Sequence, residues 1–201
     1  MNDTRYLCDV ISNQLGGGSA VVLASIVSME GSTPRERGSK MVIAAEGKTF
    51  ITVGGGLMEA TAISESVKVL ETGQSKFIEI DMTGSDTSSP DMICGGSVVM
   101  LLDYITDSGT NRIIFTQMGE LIDKSQSFYF VTAYSKSVDD INVLGHCLLF
   151  TNGKTIGDKV ISERAMPALR EELHNISSTD LLEMDGRKYV IDSIRRIKTV
   201  Y

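Results

Sequence analysis

Three short stretches of this chain pair glycines with single reactive or charged side chains. They are Gly31-Ser32-Thr33-Pro34-Arg35 running on to Gly38-Ser39-Lys40-Met41, then Gly54-Gly55-Gly56-Leu57-Met58-Glu59, then Met92-Ile93-Cys94-Gly95-Gly96. Glycine lets a ligand approach the backbone closely. In the first stretch Pro34 restricts its own φ and holds Thr33 extended. Arg35 is then presented as a fork that grips a phosphate through two bonds, with Lys40 as a point charge beside it. In the second, free N–H groups at a helix start favour an anion. Glu59 would repel a phosphate there, but its carboxylate matches two parallel N–H donors such as those of a pterin or guanine edge. In the third, backbone N–H groups of the glycine turn can stabilise a Cys94 thiolate, fit to carry sulfur or touch a soft metal. The combination predicts one shared pocket for an anionic or polar, partly planar guest.

Each stretch taken alone also has a plainer reading. Thr33-Pro34-Arg35 suits a solvated basic loop, the triple glycine a tight strand-to-helix turn, and Glu59 simple compensation of a helix dipole. Cys94 suits a buried, inert thiol. Cys8 and Cys147 fall on an apolar-patterned helix and a strand and are expected to be structural.

The elements that must position these residues follow from periodicity. Leu7, Val10, Ile11 and Leu15 share a helical face over residues 4–15, and Gly16-Gly17-Gly18 ends it. Residues 19–27 form a buried strand, and 41–44 with 49–53 a hairpin whose turn is near Glu46-Gly47. The triple glycine opens a helix that buries Ile63, Val67 and Leu70 and stops at Gly73. Residues 77–80 and 97–105 are strands, and the polar 82–91 is a loop. The second half repeats the first: 128–134 resembles 21–27, and Gly145 to Phe150 with Gly153-Lys154-Thr155 resembles Gly38 to Ile43 with Gly47-Lys48-Thr49. A helix is expected at 159–174. Asp158-Lys159-Val160 stands where the first half has its triple glycine, so one half carries the site and the other is scaffold. The expected class is α+β, with mixed β-sheets carrying helices in two similar ββα-containing halves. Residues 1–108 bear the motifs, and residues 109–201 pack with them as one unit.

With 201 residues and 42% hydrophobic content the chain can bury a core, and 22% charged residues argue against disorder. A net charge of −7 disfavours a nucleic-acid partner while leaving room for a local basic patch of Arg35, Arg37 and Lys40. Three scattered cysteines form no disulfide framework, and His146 and His174 lack metal-ligand spacing. The N-terminus shows no signal peptide and no run is long enough to span a bilayer, so a cytoplasmic location is expected.

In order and spacing the three motifs resemble the XdhC and CoxI family, the xanthine dehydrogenase accessory factors. The resemblance is strongest over about residues 15–105 and ends near Tyr189-Val190-Ile191-Asp192. It implies a chaperone that binds the molybdenum cofactor (molybdopterin), protects it while a sulfido ligand is installed, and delivers it to a molybdenum hydroxylase apoenzyme, with a cysteine desulfurase as second partner. Implied cofactor-binding residues are Ser32, Thr33, Pro34, Arg35, Gly38, Lys40, Gly54, Gly55, Gly56, Glu59, Cys94, Gly95 and Gly96, with Cys94 near molybdenum. The family often adds a Rossmann-like domain, whose place would begin near Arg195-Arg196. The expectation is a short member or one served by a separate Rossmann-domain chain. Leu57 stands where members often have a second cysteine, which argues against a two-thiol mechanism. Two competing classes are a sulfurtransferase using Cys94 as persulfide carrier and a regulatory module that has lost its ligand. A homodimer fits general assembly preferences.

Overall fold

Alternating apolar residues build two sheets, and the computed structural model describes residues 3–33, 35–82, 96–136 and 141–195. In the first half α1 (Asp3–Gly16) precedes β1 (Val21–Glu30), β2 (Lys40–Ile43), β3 (Thr49–Phe50), α2 (Leu57–Thr72), β4 (Lys76–Asp81) and β5 (Ser97–Ile105). The second half runs α3 (Thr110–Asp123), β6 (Phe128–Lys136), β7 (Ile141–Leu149), β8 (Thr155–Gly157), α4 (Met166–Glu172), β9 (Thr179–Met184) and β10 (Arg187–Ile194). The sheets have the orders β3-β2-β1-β5-β4 and β8-β7-β6-β10-β9, so the two halves share one topology. The α+β class and the two similar halves hold. Mixed sheets were expected, but every described pairing is antiparallel. The reason is that α2 and α4 each lead to an outer strand that returns as a hairpin.

Strand alternation sorts the side chains into layers. Val22, Ala24 and Ile26 pack under α2, whereas Tyr129, Val131 and Ala133 pack under α4. The opposite faces of β1 and β6 look toward each other. Leu23 and Phe130 join α1 and α3 in one cluster, and Val27 with Tyr134 forms another. Fully burying a side chain such as Leu23 or Ile11 contributes about 2 kcal/mol.

The register fixes which residues correspond. Leu23 lies between Val42 and Asp103, and Phe130 between Leu148 and Asp192. Two residues on, Ser25 faces Lys40 and Thr132 faces His146. Lys40 therefore corresponds to His146, and Gly38 and Gly145 are one place out of step. The β6–β7 ladder shifts register between Ala133 and Tyr134, which absorbs that residue.

Three further expectations change. Helix α2 buries Met58, Ala62, Ser66 and Val69; Ile63 and Leu70 are only partly buried, and Ile63 and Val67 lie over Gly47. Small Ala62 and Ser66 let the helix lie close to its sheet. The helix expected at 159–174 is confined to Met166–Glu172, where Pro167 suits a first turn, and residues 158–165 are irregular. Helix α3 has no counterpart among the expectations. Most of the 82–91 loop lies outside the described residues.

Candidate functional site

Between the two apolar clusters of the inter-sheet layer runs a polar band. Lys40 Nζ lies 2.8 Å from Asp192 Oδ1 and donates to Ser25 Oγ at 3.2 Å. Thr179 Oγ1 also donates to Asp192. Lys40 and Asp192 are 8% and 6% exposed, so this pair is desolvated, and removing one partner strands the other. The corresponding place in the second half holds His146, whose Nε2 lies 2.8 Å from Asp103 Oδ2. Ser75 Oγ donates to Asp103 at 3.4 Å. The pairs cross between halves: Lys40 of the first meets Asp192 of the second, and His146 of the second meets Asp103 of the first. Such reciprocity is the signature of a two-fold relation, here within one chain.

The His146 ring is held on both nitrogens. Asn111 Nδ2 donates to the Thr106 carbonyl at 3.1 Å, which turns its Oδ1 toward His146 Nδ1 at 3.0 Å. With an amide oxygen on one side and a carboxylate on the other, both ring nitrogens donate, and the ring is an imidazolium. Burial opposes that charge, but the Asp103 charge, its hydrogen bond and the charge of Asp158 outweigh it, so the His146 pKa is raised. Phe130 stacks on the ring, with centroids 5.7 Å apart.

A cavity of about 240 Å³ opens over the Lys40–Asp192 pair. Arg35, Arg37, Gly38 and Lys40 line it from the first motif, and Thr52 and Ile51 line it before the triple glycine. Arg35 is exposed and has no ion-pair partner among the described residues. Arg37 lies 3.6 Å from Asp180 in a half-exposed pair, weak enough to be exchanged for a ligand. Lys40 lines the cavity, but its ammonium is already held by Asp192. Gly38 has φ +90°, and a Cβ there would sit 2.7 Å from Thr179 Oγ1. The second half thus closes the pocket through Thr179 and Asp192, which sequence reasoning missed. Their signal was present only as the end of the resemblance at Asp192.

The other motif residues sit around this cavity rather than in it. Glu59 accepts a hydrogen bond from Thr52 Oγ1, which ties it to the pocket wall. Gly56 is the N-cap of α2 and provides no side-chain cap, so the first N–H groups of that helix keep their capacity for a ligand. Gly54 is buried, while Gly55 and Gly56 are exposed. Ile51 has φ +64°, a costly conformation for a β-branched residue, and strain of this kind gathers at binding sites. Ser32 is exposed, and Thr33 Oγ1 donates to the Arg35 carbonyl at 2.8 Å, bracing the loop around Arg35. Gly96 approaches the same loop: a Cβ there would lie 2.7 Å from the Ser32 carbonyl oxygen. The first and third motifs therefore meet at Ser32 and Gly96. Pro34, Cys94 and Gly95 lie outside the described residues.

Cys8 and Cys147 are buried, and burial pushes both thiols up to about 12, so neither is a nucleophile at neutral pH. Among the described residues no group of three or more His, Cys, Asp or Glu is placed to hold a metal ion. No helix there is long and apolar enough to cross a membrane.

Comparison with known proteins fits the first-half motifs. The XdhC and CoxI family matches residues 15–81. The molybdenum cofactor insertion chaperone PaoD of Escherichia coli (strain K12) is 28% identical over 101 residues, covering 50% of this chain and 31% of PaoD. The uncharacterized E. coli protein YqeB is 30% identical over 80 residues, covering 40% of this chain and 15% of YqeB. A solved structure described as a xanthine dehydrogenase from Bacillus halodurans superimposes with a TM-score of 0.68 at 19% identity, over 96% of this chain and 53% of its own. That likeness shows the fold. The matched regions span less than a third of the two curated relatives.

Proposed function

We propose that this chain, whose residues 15–81 carry the XdhC and CoxI pattern, binds the molybdenum cofactor as cargo and hands it to a molybdenum hydroxylase apoenzyme. The observation that carries the reading is Arg35, without an ion-pair partner among the described residues, beside the exchangeable Arg37 over a pocket lined by the first of the three motifs. A cavity of about 240 Å³ is below the usual size for a whole drug-sized ligand, so it takes the phosphate end of molybdopterin. The pterin then extends toward the triple glycine, where Glu59 meets its paired N–H edge. Lys40, held by Asp192, serves as the floor that keeps the Arg35 loop in place. The bound cargo would supply the redox centre of the recipient enzyme; this chain's residues grip, orient and shield it. In this reading Cys94 stands near the metal or its sulfur, a cysteine desulfurase supplies that sulfur, and a Rossmann-domain chain is a further partner.

The test is anaerobic titration of the purified chain with molybdenum cofactor under reducing conditions. Stoichiometric capture, weakened about tenfold or more by Arg35→Ala through loss of a charge-assisted contact, is expected. Glu59→Gln weakens capture as well. Equal affinity of wild type and Arg35→Ala would overturn the phosphate assignment, and unchanged affinity of Glu59→Gln would remove the pterin-edge role.

A further inference from the structure

The internal two-fold gives the motif pocket a counterpart, and the counterpart is the larger of the two. A cavity of about 670 Å³ lies over the His146–Asp103 pair. Its walls correspond to those of the motif pocket position by position. Gly145-His146 stand where Ser39-Lys40 stand, Asp158 where Thr52 stands, and Ser75 where Thr179 stands. The N-terminal residues of α3 and of α1 line equivalent edges.

The chemistry of the two differs in one respect. Once the extra residue at Leu144 is allowed for, the place of Arg37 is taken by the uncharged Asn142. Among the described residues no lysine or arginine lines the second cavity, and the His146 ring there is closed at both nitrogens by Asp103 and Asn111. An anion therefore finds nothing to pair with. What the walls do offer is the Asp158 carboxylate, whose Oδ2 accepts the His146 backbone N–H at 3.0 Å, the amides of Gln74 and Asn142, and hydroxyls such as Ser108 and Thr110. Carboxylates accept from neighbouring hydroxyls, and amides both accept from and donate to them. At about 670 Å³ the cavity falls within the range of small-molecule sites.

We infer that this second cavity is a binding site for an uncharged ligand with vicinal hydroxyls, a glycoside or a nucleoside. Asp158 is its principal hydrogen-bond acceptor. The site is independent of cofactor capture: it lies over the other ion pair and shares no residue with the motif pocket.

The experiment is an amide NMR titration of the full chain with methyl β-D-ribofuranoside, adenosine, adenosine 5′-monophosphate and 2′,3′-dideoxyadenosine. Saturable shifts at Gln74, Asn142 and Gly145 with either neutral hydroxylated probe support the site, and which of the two binds tighter separates a sugar from a nucleoside source. The dideoxy compound and the monophosphate should each bind about tenfold weaker or worse, since a site built for hydroxyls rejects their absence and offers no cation. Asp158→Asn should weaken the neutral probes about tenfold while leaving molybdenum-cofactor capture unchanged. Asn142→Ala, on the exposed rim, is a second variant should Asp158→Asn fail to fold. No saturable shift from any probe at about 10 mM would overturn the inference, since affinity weaker than that is not recognition. So would monophosphate binding as tightly as adenosine, or wild-type affinity in the folded variants.

Discussion

Lys40 with Asp192 and His146 with Asp103 hold the same place in two copies of one fold, yet they are electrically different. The first pairs a lysine with its carboxylate; in the second, Asp103 and Asn111 hold both nitrogens of an imidazole whose pKa the charges of Asp103 and Asp158 raise. The first copy also keeps Arg35 and Arg37 over its pair, whereas among the described residues the second has Asn142 at the place of Arg37 and no lysine or arginine in its lining. The lesson is that duplicating a scaffold duplicates the polar band that ties its halves together. The basic side chains above the band are what differ between the two pockets. A third contrast follows the same line. Positive φ at Ile51 is matched by φ +116° at Gly157, so the motif pocket carries backbone strain that the second has relieved with glycine.

The comparison breaks most visibly if the pairs are cut. Asp192→Ala leaves Lys40 buried without a partner and should cost about 3–5 kcal/mol in urea unfolding. Asp103→Ala should cost less at pH 8, because it removes the carboxylate that raises the His146 pKa and leaves a ring that can stand neutral. Equal losses at pH 8 would show that the two pairs are not different in kind. The next effect is pH dependence. With its folded pKa above the unfolded value near 6.5, His146 contributes stability that is fully present below about pH 6.5 and is lost as pH rises through the folded pKa. The urea midpoint of wild type should therefore fall with rising pH above that point relative to His146→Gln, and parallel curves would contradict the imidazolium.

Gly96→Ala drives a Cβ against the Ser32 carbonyl and should cost about 1–3 kcal/mol by overpacking, while also weakening cofactor capture by displacing the Arg35 loop. The smallest effect expected is none. Cys8 and Cys147 should resist iodoacetamide at pH 8 in the native state and react only after unfolding, as followed by mass spectrometry.

Much of this was legible in the chain itself. The apolar periods of residues 4–15 and 97–105 set α1 and β5, and the echo of Gly47-Lys48-Thr49 in Gly153-Lys154-Thr155 announced the repeat. Helix α3 also shows a helical period, in Ile114, Phe115, Met118 and Leu121, which the strand-by-strand echo between the halves does not reveal. The ion pairs were not legible. Lys40 and Asp192 lie 152 positions apart, and nothing local in either says that a strand of one half reaches the other. For the same reason the motif residues read as ligands one by one, whereas Lys40 proves to be held by the protein and Arg35 stands free. His146 lacks metal-ligand spacing in the sequence, and only the register sets it in the place equivalent to Lys40.

The measurement that tests the division of labour most directly is cofactor capture by three proteins side by side: wild type, Arg35→Ala and Asp158→Asn. The account predicts that wild type and Asp158→Asn bind molybdenum cofactor alike and that Arg35→Ala binds about tenfold weaker or not at all. Loss of capture in Asp158→Asn with retention in Arg35→Ala would contradict it, placing the cargo over His146 instead of Lys40.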